Sequence, residues 1–103
     1  MSQFREKVIE YIKSIPHGKV VSYGQVAAFC GSPRAARQVG GILRGSSHKE
    51  KLPWWRVINN AGIISMKGNW TETKELQKQL LEKEGIEVSK DFRVSMEKYR
   101  HKK

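Results

Sequence analysis

The tripeptide Gly31-Ser32-Pro33 constrains the chain more than any other feature. It forces a break between two short helical stretches. Upstream, Ser22-Tyr23-Gly24-Gln25 has the form of a capping box, with Ser22 at the cap and Gln25 three residues on. A short helix is predicted from there to about Cys30, stopped by Gly31. Downstream, Ser32 suits a cap, and Pro33 suits the first helical position, where its missing N–H is not needed. The second helix is expected to run to Arg44 and end at Gly45. Two short helices joined this tightly read as a helix-turn-helix.

The rest of the chain fits around that unit. Phe4, Val8, Tyr11, Ile12 and Ile15 recur at helical spacing and predict a helix over residues 3–14, ended by Pro16-His17-Gly18. Val57-Ile58 and Ile63-Ile64 flank the turn-forming Asn59-Asn60-Ala61-Gly62 and read as a β-hairpin. Thr71 is the expected cap of a last long helix, about residues 72–84, ended by Gly85. Residues 86–103 read as a short extended piece and a basic tail, about 98–103. The expected fold is α/β (α+β): a single winged-helix-like domain, residues 1–103, with a helix-turn-helix and a small hairpin. A chain of 103 residues can bury one modest core.

Charge narrows the partner. Twenty Lys and Arg face ten Asp and Glu, a formal net charge of +10. Such an excess favours a polyanion, and nucleic acid is the commonest one for a soluble domain. No apolar run approaches the roughly 20 residues of a spanning helix, and no N-terminal signal is visible, so no membrane is expected. A single Cys excludes an internal disulfide and fits a reducing cytosol. One Cys and three scattered His lack zinc-ligand spacing, so no metal or cofactor is expected.

Three groups of residues could carry chemistry. Arg34, Arg37, Gly41 and Arg44 share one face of the second helix of the helix-turn-helix. Ala36, Val39, Gly40 and Leu43 line another. A cationic face can be simply solvated. Adjacent glycines cost about 1 kcal/mol each against Ala in a helix, however, and so suggest close packing or close docking of the backbone. Pro53-Trp54-Trp55-Arg56 places two large aromatics in succession. Both can be core residues, or one can face a cavity. Glu84 falls four residues after Leu80 and eight after Leu76, a carboxylate on an apolar stripe that needs a partner: an indole N–H or an Arg. Cys30, at a helix end away from these motifs, reads as a small buried side chain.

Pro53-Trp54-Trp55-Arg56-Val57-Ile58, downstream of Ser32 to Gly45, resembles the active-site domain of the O6-alkylguanine-DNA alkyltransferases. That signature has a nucleophilic Cys and a His between the Pro and the Arg. Trp54 and Trp55 hold those places here, which makes the chain similar to the alkyltransferase-like proteins. Many of those keep the His, so Trp55 is a departure. The resemblance covers about residues 3–86, without the N-terminal domain of the full-length repair enzymes.

The resemblance implies minor-groove docking by the helix bearing Arg34, Arg37, Gly41 and Arg44. Arg37 would replace the extruded nucleotide in the stack, and Tyr23 would press on the adjacent phosphate. The lesion-base pocket would comprise Trp54, Trp55, Trp70, Lys67 and Tyr23, with Trp54 as its floor. Lys67 and Trp70 belong to the segment aligned with the family's pocket-closing loop. Arg56 and Glu84 would be structural remnants of the catalytic relay. Ser46 stands where the repair enzymes have an Asn that orders the active-site loop.

The function implied is that of a non-enzymatic sensor of O6-alkylguanine in double-stranded DNA. It would act as a monomer in the cytoplasm, associated with the nucleoid, and hand lesions to nucleotide excision repair proteins. Two alternatives accompany this reading: a winged-helix transcription regulator, and a residual alkyltransferase using Cys30.

Overall fold

The computed structural model describes residues 3–46, 49–65 and 73–102. Thr71, Lys67 and Trp70, named above, lie outside the described residues. The elements in chain order are α1 (Gln3–Lys13), β1 (Val21–Ser22), α2 (Tyr23–Phe29), α3 (Ala36–Ser46), a single 3-10 turn (Trp54–Arg56), β2 (Val57–Ile58), α4 (Lys74–Lys83) and α5 (Met96–Tyr99). No helix among the described residues is long and apolar enough to cross a membrane.

The helix-turn-helix is present, with altered edges. Ser22 caps α2 through its hydroxyl, which accepts from the Gln25 N–H at 3.0 Å. At the other end, Gly31 N–H reaches the Ala28 carbonyl and Ser32 N–H the Ala27 carbonyl, closing the helix with paired bonds. α3 begins at Ala36, later than Ser32-Pro33 suggests. The Ser32 carbonyl accepts from Ala35 N–H at 2.9 Å, so Pro33 and Arg34 are spent on a separate turn. α3 also passes through Gly45 and ends at Ser46. Similarly, α4 starts two residues later than expected, because Thr73 is the cap and accepts from Leu76 N–H at 3.1 Å.

The expected hairpin is not the sheet that forms. β2 pairs in parallel with β1, Val21 opposite Val57 and Ser22 opposite Ile58. Burial explains the choice. Val20, Val21, Val57 and Ile58 are all 2% exposed or less, and strands covered on both faces favour a parallel arrangement. The chain still turns at 59–62. There the Asn59 side-chain oxygen accepts from Ala61 N–H and Ile63 N–H. That loop sends Ile63 and Ile64 to a different partner: Ile63 bridges Arg93 in antiparallel sense, and Ile64 N–H donates to the Phe92 carbonyl.

The small sheet separates two apolar clusters. Val21 and Val57 face the larger one, with Val8 and Ile12 of α1, Val26 of α2, Val39 and Leu43 of α3, and Trp54. Val20 and Ile58 face the smaller one, with Ile64, Leu81, Ile86 and Val94. Trp55 packs against both. Burying this apolar surface is the main force holding α3 in place.

The C-terminal stretch is no loose tail as far as residue 101. Val20 N–H donates to the Tyr99 carbonyl, and His101 N–H donates to the Val20 carbonyl. The Gln25 amide donates to the Tyr11 hydroxyl and the His101 carbonyl. Sheet-like pairing with the buried Val20 therefore overrides the high charge of this segment.

Gly62 fixes the other contact of this stretch. Its φ is +79°, and a Cβ there would collide with the Val94 carbonyl oxygen. Val94 N–H in turn donates to the Gly62 carbonyl at 2.7 Å. Gly62→Ala is expected to destabilise the protein by about 2–3 kcal/mol, since strain and collision coincide. Urea denaturation checks this; an unchanged midpoint would mean that the 92–94 segment yields at no cost.

Candidate nucleic-acid interface

α3 presents its functional face because its other face is anchored. Val39, Gly40, Leu43 and Ser46 are buried, whereas Arg37, Gln38, Gly41, Arg44 and Gly45 are exposed. Gly41 sits at the centre of the exposed face. Arg37 and Gln38 are one turn before it, and Arg44 and Gly45 one turn after. The centre thus has no side chain, and its rim carries guanidinium groups. Ser46 accepts a 2.8 Å hydrogen bond from the Arg5 guanidinium, tying the end of α3 back to α1.

Two depressions flank this face. One, about 550 Å³, is lined by Tyr23 and Gly24 from the start of α2, by Ala36, Arg37, Gly40 and Arg44 from α3, and by Asn59, Asn60 and Ser65. The other, about 740 Å³, is formed by Ser32, Pro33, Arg34, Ala35, Arg37 and Gln38 at the helix-turn-helix corner. Arg37 borders both and stands as the ridge between them. The first cleft falls within the size range of a small-ligand pocket.

Tyr23 is half-buried against Gly40 and close to Arg44. Burial raises its pKa above the ordinary phenol value, and the Arg44 charge offsets this only in part. The phenol is therefore a neutral O–H donor at physiological pH. The electrostatics of the face are set by what is missing from the sequence. Between Glu10 and Glu50 there is no acidic residue, whereas Lys13, Lys19, Arg34, Arg37, Arg44 and Lys49 all lie there.

Trp54 is 6% exposed and packs in the larger core cluster, and it is not among the residues lining the Tyr23–Arg37 cleft. Its ring meets Trp55 edge-on at 6.0 Å and 87°. Trp55 is half-buried, and its indole N–H donates to Glu84 Oε2 at 2.7 Å. Arg56 donates to the same carboxylate from Nε at 3.0 Å and from a terminal nitrogen at 2.7 Å, while its other terminal nitrogen holds the Ile15 carbonyl. Gly18 N–H adds a bond to Glu84 Oε1 at 2.8 Å. Both partners considered for Glu84 are thus engaged together.

Glu84 reaches this position from the end of α4, not from an apolar stripe. Leu76 is exposed, and the helix buries Gln77 and Leu81 instead. Gly85, with φ +86°, turns the chain immediately after Glu84, and Gly85 and Ile86 N–H groups close the helix. Burial acts to raise the Glu84 pKa, but the hydrogen bonds from Arg56, Gly18 and Trp55 and the Arg56 charge outweigh it. The carboxylate is held below its ordinary value.

Cys30 is buried at the end of α2, and burial pushes its thiol pKa up, with Lys7 opposing. It lines neither depression. Among the described residues there is no group of three His, Cys, Asp or Glu able to hold a metal ion. Sequence reasoning treated Asn59 and Asn60 only as turn formers and overlooked their place on the cleft wall. Their place on the same cleft as Tyr23 is a tertiary feature with no local signal.

The fold and this face define a helix-turn-helix DNA-binding domain. The chain belongs to the family described as 6-O-methylguanine DNA methyltransferase, DNA binding domain, whose model matches residues 3–86. It is similar to the DNA base-flipping protein of Vibrio parahaemolyticus, at 45% identity over 100 residues and 97% of each chain. It is also similar to Alkyltransferase-like protein 1 of Schizosaccharomyces pombe, at 38% identity over 97% of this chain and 89% of that one. The crystal structure of S. pombe Atl1 in complex with damaged DNA containing O6-carboxymethylguanine superposes with a TM-score of 0.89, at 34% identity, over 100% of this chain and 98% of that one.

Replacing Glu84 by Gln should cost about 3 kcal/mol at neutral pH, because Arg56 and Trp55 would lose a shared charged acceptor in a buried setting. The lowered folded-state pKa makes the contribution complete above the ordinary value of 4.5 and lost as pH falls below it. The stability gap between the wild type and Glu84→Gln should therefore narrow under acid, as followed by urea denaturation from pH 7 to pH 3. A gap that stays constant with pH would refute the charged role.

Proposed function

We propose that this protein is a non-enzymatic sensor of O6-alkylguanine in duplex DNA. α3 docks in the minor groove through Gly41, whose missing side chain suits a groove only about 6 Å wide. Arg34 and Arg44 contact phosphates. Tyr23 donates its O–H to the phosphate beside the lesion, and Arg37 enters the stack as the damaged nucleotide rotates out. The extruded base occupies the Tyr23–Arg37 cleft. The observation that carries this reading is the placement of Arg37 on the ridge between two depressions. A guanidinium there can stack on bases and offer donors to the orphaned partner while the base lies on one side of it.

The same geometry supports binding without transfer. Among the described residues the cleft lining offers Tyr, Gly, Ala, Arg, Asn and Ser. Trp54 replaces the nucleophile of the methyltransferases, and Cys30 is buried elsewhere as a high-pKa thiol. A protein that holds a lesion without repairing it has to pass it on, and nucleotide excision repair is the proposed recipient.

The test uses two duplexes identical except for one O6-methyl group, titrated by fluorescence anisotropy, with the mass of the recovered protein measured afterwards. The wild type should prefer the methylated duplex and gain no mass. Arg37→Ala should lose roughly tenfold or more on the lesion and much less on plain DNA, because extrusion costs a few kcal/mol only where a base leaves the stack. Equal losses on both duplexes, with a salt slope reduced by about one, would make Arg37 a phosphate contact. A 14-Da-type gain on the protein would identify a transferase instead (one methyl per chain, on the order of the transferred group alone).

A further inference from the structure

We propose that Gln38 determines sequence context: its carboxamide reads the minor-groove edge of the base pair beside the extruded lesion and favours a pair containing guanine. This rests on the base-flipping reading above. Gln38 is exposed, adjoins Arg37, and shares with Gly41 the open face of α3. It lines the corner depression and not the Tyr23 cleft, so it lies on the side of the Arg37 ridge away from the extruded base. When Gly41 brings the helix backbone close to the groove floor, a side chain one turn before it reaches a base edge and not only the phosphates.

The chemistry of that edge selects guanine. An A·T pair offers only the acceptors N3 and O2 to the minor groove, whereas a G·C pair adds the guanine 2-amino donor. The other exposed side chains of α3 are Arg37 and Arg44, which donate and cannot accept. Gln38 alone among the exposed residues of α3 carries an acceptor. Beside A·T its amide oxygen would be desolvated facing acceptors. Beside G·C the oxygen takes the 2-amino group while the amide nitrogen donates to N3 or O2. Gln is among the side chains that minor-groove proteins use for this distinction.

The experiment uses duplexes with one O6-methylguanine and, on each side in turn, a neighbouring G·C, inosine·C or A·T pair. Inosine lacks only the 2-amino group. Dissociation constants are measured for wild type, Gln38→Ala and Gln38→Met, together with matching undamaged duplexes. At one flank the wild type should bind the G·C form about three- to tenfold more tightly than the inosine·C form, the range of one hydrogen bond. Both variants should bring this ratio to near one, because neither carries an acceptor for the 2-amino group. Equal binding of G·C and inosine·C forms at both flanks overturns the proposal, as does a ratio that survives in both variants. Wild-type protein that prefers the lesion without flank dependence refutes Gln38 alone. Wild-type protein that does not prefer the lesion refutes the base-flipping reading itself.

Discussion

The carboxylate of Glu84 holds together three parts of the chain that are far apart in sequence. It accepts from the Gly18 backbone, from the Trp55 indole and from the Arg56 guanidinium. Arg56 extends the link to the Ile15 carbonyl at the end of α1. The 3-10 turn Trp54–Arg56 is therefore pinned between α4 and the loop that leads into β1. Gln77 adds its amide to the Trp55 and Val57 carbonyls. Since β1 runs directly into α2 and Tyr23, the position of Tyr23 depends on a contact made by the far end of α4. A charge pair this enclosed, with side chains 14% and 6% exposed, contributes little net stability against an apolar replacement. Its value lies in geometry, because removing either partner leaves the other charge buried and uncompensated.

That scaffold leaves one side of the molecule free for a polyanion. The acid-free stretch from residue 11 to 49 supplies the exposed face of α3, and the acidic residues lie before it on α1, at Glu50 just beyond it, and from residue 72 onwards. Backbone rigidity matters as much as charge here. Gly40 is buried beneath Tyr23, and Gly41 is exposed at the centre of the docking face. The two adjacent glycines thus stand in different settings, one packed inside and one open at the surface.

Much of this was legible in the amino-acid sequence where a local rule governs. The Ser22 cap, the Gly31 and Gly85 helix ends and the buried face of α1 follow from capping chemistry and helical spacing, and the structure shows each. What was not legible depends on distant partners. Val57-Ile58 next to a turn looks like half of a hairpin, yet Val20-Val21 competes for the same edge and wins by double-sided burial. The basic residues after 97 look like a solvated tail, yet the backbone at 99–101 pairs with Val20. For the candidate site, Trp54 was expected as the pocket floor and packs in the core instead, whereas Tyr23, Arg37 and Arg44 line one cleft and were named from pattern and resemblance. Asn60, Ser65 and the Gln38 position were not, because no periodicity marks which turn residue will face which helix.

The pair of tryptophans follows from the same constraint. Glu84 needs a donor from position 55 whatever the chemistry of position 54, since otherwise a carboxylate oxygen would be left without part of its shell. In the alkyltransferase pattern an imidazole meets that need and also serves as a proton carrier. On the proposed reading, in which Trp54 stands where the thiol would be, there is no proton to carry, and the remaining demand on position 55 is an N–H donor on a flat ring. Indole meets it, donating at 2.7 Å to Glu84, and the larger ring also spans both apolar clusters and stacks under the Arg56 guanidinium at 5.5 Å. On that reading position 55 has no acid–base duty but keeps its structural bond, and a residue incapable of proton transfer can fill the post.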